Sequence, residues 1–185
     1  GVAIWGSEMK NAEVPSINYA LHSVATSCSV SSLPLSTGNY PAHWAVDGDF
    51  RTYFQSEWPR TALCDVEWLH VVLPSDVIAD SIVVWDRQQQ TVPVASLVPF
   101  ALEMRNSAGK LVLRTEFTTA NTDCAPYVVT VGGASVSSVR VLATGNQALH
   151  IAEVQVMGPP GQGACRTSSM PVPACADRGE FTTVI

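Results

Sequence analysis

The chain is 185 residues long, 46% hydrophobic and 14% charged, with a net charge of −6 and a pI near 5.0. That balance excludes wholesale disorder, which needs low hydrophobicity and high net charge, and it suits one domain with a sizeable core plus tails. Only 10 residues are Lys or Arg and none form a basic run, so there is no electrostatic footprint for nucleic acid or an anionic membrane, and no apolar run approaches the ~20 residues of a spanning helix.

Residues 1–17 mix Trp5, Gly6, Glu8, Lys10 and Pro15 without a period and read as an N-terminal arm, free of the basic and apolar regions of a signal peptide. From Asn18 the pattern changes to short segments rich in β-branched residues and bounded by turn formers. They are Ser23–Cys28, Trp68–Leu73, Asp80–Trp85, Phe100–Arg105, Lys110–Phe117, Tyr127–Val131, Ser137–Ala143 and Ile151–Met157. Alternation in Leu111-Val112-Leu113-Arg114 and from Val136 to Val141 predicts one buried and one wet face, as in antiparallel sheets. Asn106-Ser107-Ala108-Gly109 and Gly132-Gly133 are turn signals, and Ile17–Val24 has room for a turn or two of helix. The expected class is all-β, a sandwich or a barrel on periodicity alone. Residues 159–185 are rich in Gly, Pro and Ser and read as a tail or a linker to a following module.

Five cysteines, Cys28, Cys64, Cys124, Cys165 and Cys175, show no CxxC spacing, so disulfides are expected rather than a zinc site. Several pairings remain open. Cys165 with Cys175 closes a short Pro-containing loop, and Cys28 with Cys64 flanks the segment described next, which would leave Cys124 odd. Either bridge implies an oxidising, extracellular or cell-surface location.

The segment PAHWAVDGDFRTYFQS, Pro41 to Ser56, sets two Asp around a Gly and a Thr three residues later, among aromatic residues. A tight turn is one reading, since Gly48 can take positive φ and Asp side chains bond nearby backbone N–H groups. The other is a cation site. Carboxylates among Trp44, Phe50, Tyr53 and Phe54 are expensive to desolvate unless paired, and Arg51 is the only nearby base. Calcium takes six to eight oxygens, more than one loop supplies, and Glu153 in Ile151-Ala152-Glu153-Val154-Gln155-Val156 offers a second carboxylate.

From Asn18 to Gly158 the chain resembles the discoidin, or coagulation factor 5/8 type C, family and its relatives among F-type lectins and family 32 carbohydrate-binding modules. The residues that carry the resemblance run in order: Asn18-Tyr19-Ala20-Leu21 ahead of Ala25-Thr26-Ser27; Ala42 to Asp49 with Thr52 and Ser56; Trp68 to Leu73; Ile82 to Arg87; and Ile151 to Val156. The resemblance implies an antiparallel β-sandwich of the jelly-roll, galactose-binding-like type over 18–158. It also implies a structural Ca2+ held by Trp44, Asp47, Asp49, Thr52, Ala152 and Glu153. In the family the loop carbonyls, the Asp, the Thr and the Ala-Glu pair of the last strand supply the oxygens. Two family features are absent: no Cys lies near Asn18, and of the fucose-binding His with paired Arg only Arg87 falls in place.

The resemblance implies a ligand site on loops at one end of the sandwich, in keeping with function on loops held by a rigid scaffold, and sugars are held by an aromatic face and planar polar groups. Trp58, Arg60, Arg87, Gln88, Gln89 and Asn146 supply those groups as candidate contacts, while His43, His70 and His150 read as core or rim histidines. No GxSxG or HExxH context appears, so no enzyme is expected. The sequence therefore predicts a calcium-containing, lectin-like module of a larger secreted or cell-surface protein, with a glycan as partner. The alternative is a structural or adhesive module that contacts an extracellular protein or neighbouring modules without binding sugar.

Overall fold

A computed structural model describes residues 16–27, 40–56, 66–87, 97–121 and 125–160. Among these residues there are eight strands: β1 (Ile17–Asn18), β2 (Val24–Ser27), β3 (Phe54–Gln55), β4 (Trp68–Asp86), β5 (Phe100–Arg105), β6 (Leu111–Phe117), β7 (Tyr127–Ala143) and β8 (His150–Gly158). A five-residue 3-10 turn, Ala42–Val46, precedes β3. Every strand pairing is antiparallel.

The count of eight matches the sequence reading, but the strands themselves differ. Trp68–Leu73 and Asp80–Trp85 belong to one strand of 19 residues, and Tyr127–Val131 and Ser137–Ala143 belong to one of 17. These two long strands pair with each other from Trp68↔Leu142 to Val84↔Tyr127, with breaks in register between Val72 and Val77 and between Ala79 and Ser81. Gly132 and Gly133, at φ 68° and 82°, lie at the second break. The pair that reads as a turn between two strands is thus a bulge within one, because glycines at positive φ let extra residues enter one strand without ending the ladder.

The breaks let β4 and β7 serve two layers. One layer runs β2–β4–β7–β5–β6, using Trp68–Val72 and Ser138–Ala143 of the long strands. The other runs β8–β4–β7, using Ser81–Asp86 and Tyr127–Thr130, with β1 and β3 on the outer side of β8. Leu69, Val71, Leu102, Met104, Val139 and Val141 of the first layer and Ile82, Val84, Val129, Val154 and Val156 of the second share one buried cluster. The result is the expected antiparallel β-sandwich.

β1 pairs Ile17 with Gly158, so the two ends of the sandwich lie side by side. Ile17, assigned to the arm on sequence, is buried in the core. Residues 19–22 form a turn, not a helix. The hairpin at Asn106–Gly109 stands as read, closed by Gly109 N–H donating to the Asn106 carbonyl at 2.8 Å. All five cysteines lie outside the described residues, as do both expected bridges. No helix among the described residues is long and apolar enough to cross a membrane.

Candidate functional site

The chain is extended at Pro41 and turns at once into the 3-10 segment Ala42–Val46. The turn drives Ala45 and Val46 into the core, and the Val46 carbonyl accepts from His22 N–H at 2.6 Å. Asp47 caps the turn in the right-handed region and Gly48 follows at φ 81°, which reverses the chain. A side chain at Gly48 would be strained twice over, since a Cβ there would stand 2.9 Å from Leu21 Cδ1.

The reversal folds the acidic loop over its own oxygens. Asp47 Oδ1 accepts from Asp49 N–H at 2.8 Å, and Asp47 Oδ2 accepts from the Thr52 hydroxyl at 2.9 Å. The Asp49 carbonyl faces the Thr52 hydroxyl at 2.7 Å, whereas the Asp49 side chain turns outward to a bidentate pair with exposed Arg51. That pair, with side chains 76% and 35% exposed, holds the Asp49 carboxyl below its ordinary range.

Glu153 of β8 comes to the same place. Its Oε2 accepts from Gly48 N–H at 3.3 Å, a contact 105 residues apart in sequence. The residue is 0% exposed, and Oε1 is buried with no hydrogen-bond partner. Burial first, then the negative charges of nearby Asp47 and Asp49, push its carboxyl up to about 9. Trp85 stands opposite Glu153 in the ladder, with the Phe50 ring edge-on at 5.2 Å, so the carboxyl has an apolar flank. Between Trp85↔Glu153 and Asp86↔Ile151 the ladder slips, which leaves Ala152 without a partner in it. Such a bulge lets consecutive residues present groups to one side.

Asp47, Thr52 and Glu153 are thus brought together, with the Asp49 carbonyl beside them and Ala152 at the bulge. Trp44 lies in the 3-10 turn just before. The set is made of oxygens only, which suits a hard dication and gives a thiophilic metal nothing to bind. Among the described residues no three His, Cys, Asp or Glu side chains converge on a metal-sized point, so hydroxyl and main-chain oxygens would complete any shell. The orphaned Glu153 Oε1 fits such a cation: a lone buried carboxylate oxygen is costly and a dication would satisfy it.

Beside this loop, on the same edge of β8, stands an aromatic group. Phe54 enters the core, and the pleat turns Tyr53 and Gln55 the other way. Tyr53 stacks on Tyr40 at 4.6 Å, Trp44 meets Tyr40 edge-on at 6.3 Å, and His43 meets Trp44 at 6.4 Å. The Arg87 guanidinium sits 3.9 Å above the Tyr53 ring, where its charge faces the ring's negative centre. Arg87 N–H donates to the His150 carbonyl at 3.2 Å, so the end of β4 is tied to the start of β8. Burial, then the Arg87 charge, push the His150 imidazole down to about 4. Burial and the Tyr40 side chain raise the Tyr53 hydroxyl above its usual range.

Of the six candidate sugar contacts, Arg87 is placed in this group. Asn146 is exposed in the turn 144–147 that leads into β8. Trp58, Arg60, Gln88 and Gln89 lie outside the described residues. Tyr40 and Tyr53 are not among those six candidates, although alternation through Tyr53-Phe54-Gln55 carries the signal. His43, read as core or rim, is exposed, because its neighbours Ala45 and Val46 take the buried side of the turn.

No family model and no curated protein matches the chain. Solved structures do. The lectin domain of lectinolysin, complexed with Lewis B antigen, is 24% identical, with 76% of this chain and 95% of that chain covered at a TM-score of 0.61. A fucose-binding module of Streptococcus pneumoniae is 16% identical, covering 76% of this chain and 96% of that one at 0.62. The family 32 module of C. perfringens NanJ, in complex with galactose, is 19% identical, covering 78% and 100% at 0.59. The parts matched are binding modules and a lectin domain, not catalytic domains. At these identities the likeness establishes the fold alone: the described strands build the antiparallel β-sandwich that those modules share.

Proposed function

We propose that this chain is a non-catalytic carbohydrate-binding module that works outside the cell or at its surface, as part of a larger protein. The observation that carries the reading is the Arg87 guanidinium 3.9 Å over Tyr53, which itself stacks on Tyr40 at one end of the sandwich. A guanidinium held over one face of an aromatic stack offers forked donors for sugar hydroxyls, and the other rings of the group offer apolar surface for C–H groups. His150 and Gln55, opposite each other across β3 and β8, add further polar groups at the same end. The solved modules of this fold that hold Lewis B antigen and galactose support the choice of a sugar over other small ligands.

The same reading assigns a structural Ca2+ to the neighbouring loop. Asp47, Thr52 and Glu153 would give side-chain oxygens, and Trp44, Asp49 and Ala152 main-chain oxygens. Because Thr52 adjoins Tyr53, the ion would fix the platform as well as the loop. Its part is structural: it supplies charge to two facing carboxylates and touches no sugar in this assignment.

A glycan array in calcium-containing buffer tests the proposal. Binding to a defined glycan class is expected, lost on Arg87→Ala and on Tyr53→Ala while the melting temperature holds. A blank array with a folded, calcium-loaded protein would leave the structural or adhesive module as the reading.

A further inference from the structure

The outer face of the layer β2–β4–β7–β5–β6 carries a row of polar residues in strict register. Thr26 pairs with His70, His70 with Arg140, Arg140 with Glu103, and Glu103 with Arg114, one from each of five strands. Trp68 and Leu142 form the next row, and Ser138 and Arg105 the row on the other side. Leu69, Val71, Val139 and Val141, at the alternate positions, are buried in the core, so this row faces outward.

The charges in the row are unevenly paired. Glu103 is 7% exposed, and its two oxygens are taken by Arg114 at 2.6 Å and Arg105 at 3.1 Å. Arg140, directly across from Glu103, receives neither. Its guanidinium lies 4.5 Å above the Trp68 ring, its Nε is buried without a partner, and among the described residues no carboxylate pairs with it. His70, edge-on to Trp68 at 6.4 Å, is held below its ordinary range by burial, then by the Arg140 and Arg105 charges. The spot is therefore a cation held in place, without a counter-ion, on a chain whose net charge is −6.

We propose that this face is a second binding site, which takes the carboxylate of an acidic sugar on Arg140, with the sugar ring against Trp68 and His70. The planar guanidinium matches a carboxylate better than it matches isolated hydroxyls, and its position over the indole already restricts its rotamers. The carboxylate supplies the counter-charge that Glu103, saturated by two arginines, cannot. Two aromatic rings beside the cation suit a sugar ring better than a bare acid. The site uses none of the residues assigned to the Arg87 platform and stands or falls separately.

Calorimetric titration with sodium glucuronate tests it, with methyl glucoside as the uncharged match and sodium acetate as the acid without a ring. Glucuronate is expected to bind about tenfold or more tightly than either. Arg140→Gln should lower that affinity about tenfold, Arg140→Lys should restore part of it, and Trp68→Ala should weaken it. Arg51→Gln, which removes the same charge elsewhere on the surface, should change nothing. Melting curves identify any variant that fails to fold, and Arg140→Lys keeps the test alive if Arg140→Gln does. Equal affinity for glucuronate and methyl glucoside overturns the proposal. Acetate binding as tightly as glucuronate also overturns it, in favour of an acidic peptide, as does a folded Arg140→Gln that binds like the parent.

Discussion

His150 shows how one residue can couple the ligand end of the sandwich to pH. It begins β8, its carbonyl holds Arg87 N–H, and its imidazole is pushed down to about 4 from an ordinary 6.5 by burial and then by Arg87. A histidine whose folded value is depressed favours folding in its neutral form. The stability it contributes is present above about 6.5 and is lost as pH falls towards about 4. The loss expected between neutral pH and about pH 5 is at most about 2 kcal/mol, and partial exposure trims it. His70, also depressed by burial, acts in the same direction. The useful comparison is therefore between parent and His150→Gln: the fall in melting temperature on acidification should be smaller in the variant. Parallel curves for the two proteins would show that His150 is not the group that titrates.

At the scale of elements, what could be read from sequence was composition and alternation, and what could not was continuity. β5 and β6 were legible because Asn106–Gly109 closes a short hairpin between two clean segments. β4 and β7 read as two strands each, with Gly132-Gly133 as the turn signal between the halves of β7. The junctions between the halves are instead places where a paired ribbon breaks register and passes from one layer to the other. Local sequence cannot separate a bulge from a turn, because both want positive φ or proline, and only the partner strand decides. Of the acidic loop, Asp47, Thr52 and Glu153 were legible through resemblance, while the Tyr40–Tyr53–Arg87 group needs three segments brought together in space. The bulge gives a specific expectation. Gly132 is at φ 68° and a Cβ there would meet nothing within 4 Å, so Gly132→Ala should cost only the backbone penalty, about 1 kcal/mol. Gly132→Asn, which tolerates the left-handed region, should cost less. Urea unfolding of the two variants checks the order, and equal costs would place the strain elsewhere.

Across the whole molecule, β8 joins early and late parts of the chain: it pairs with β1, β3 and β4, and its Glu153 is reached by the Gly48 N–H of the loop before β3. A calcium ion bound between Asp47 and Glu153 would therefore couple the first half of the chain to its last strand. It would bind only once those parts have met. An ion that binds the folded state alone stabilises it by RT ln(1 + [Ca]/Kd), about 2.7 kcal/mol at a hundredfold excess over Kd, or about 5–10 °C in melting temperature for a domain of this size. Chelator should remove that gain, and magnesium should restore little of it, since it gives up its waters reluctantly. Asp47→Asn should lose most of the response. Asp49→Ala should lose little, because the Asp49 side chain is spent on an exposed pair with Arg51 and only its carbonyl faces the loop. Glu153→Gln separates the effect of the ion from that of the carboxyl's own proton. With its folded value raised to about 9, the Glu153 carboxyl in metal-free protein contributes stability that is complete below about 4.5 and is lost as pH rises towards 9. In chelator, the parent should therefore lose stability from about pH 5 to about pH 8 through this group, whereas Glu153→Gln, neutral throughout, should lose less and show no gain from calcium. A parent whose melting temperature is the same in calcium and in chelator, at any pH in that window, would remove the ion from this account and leave Asp47 and Gly48 as a tight turn beside a protonated Glu153.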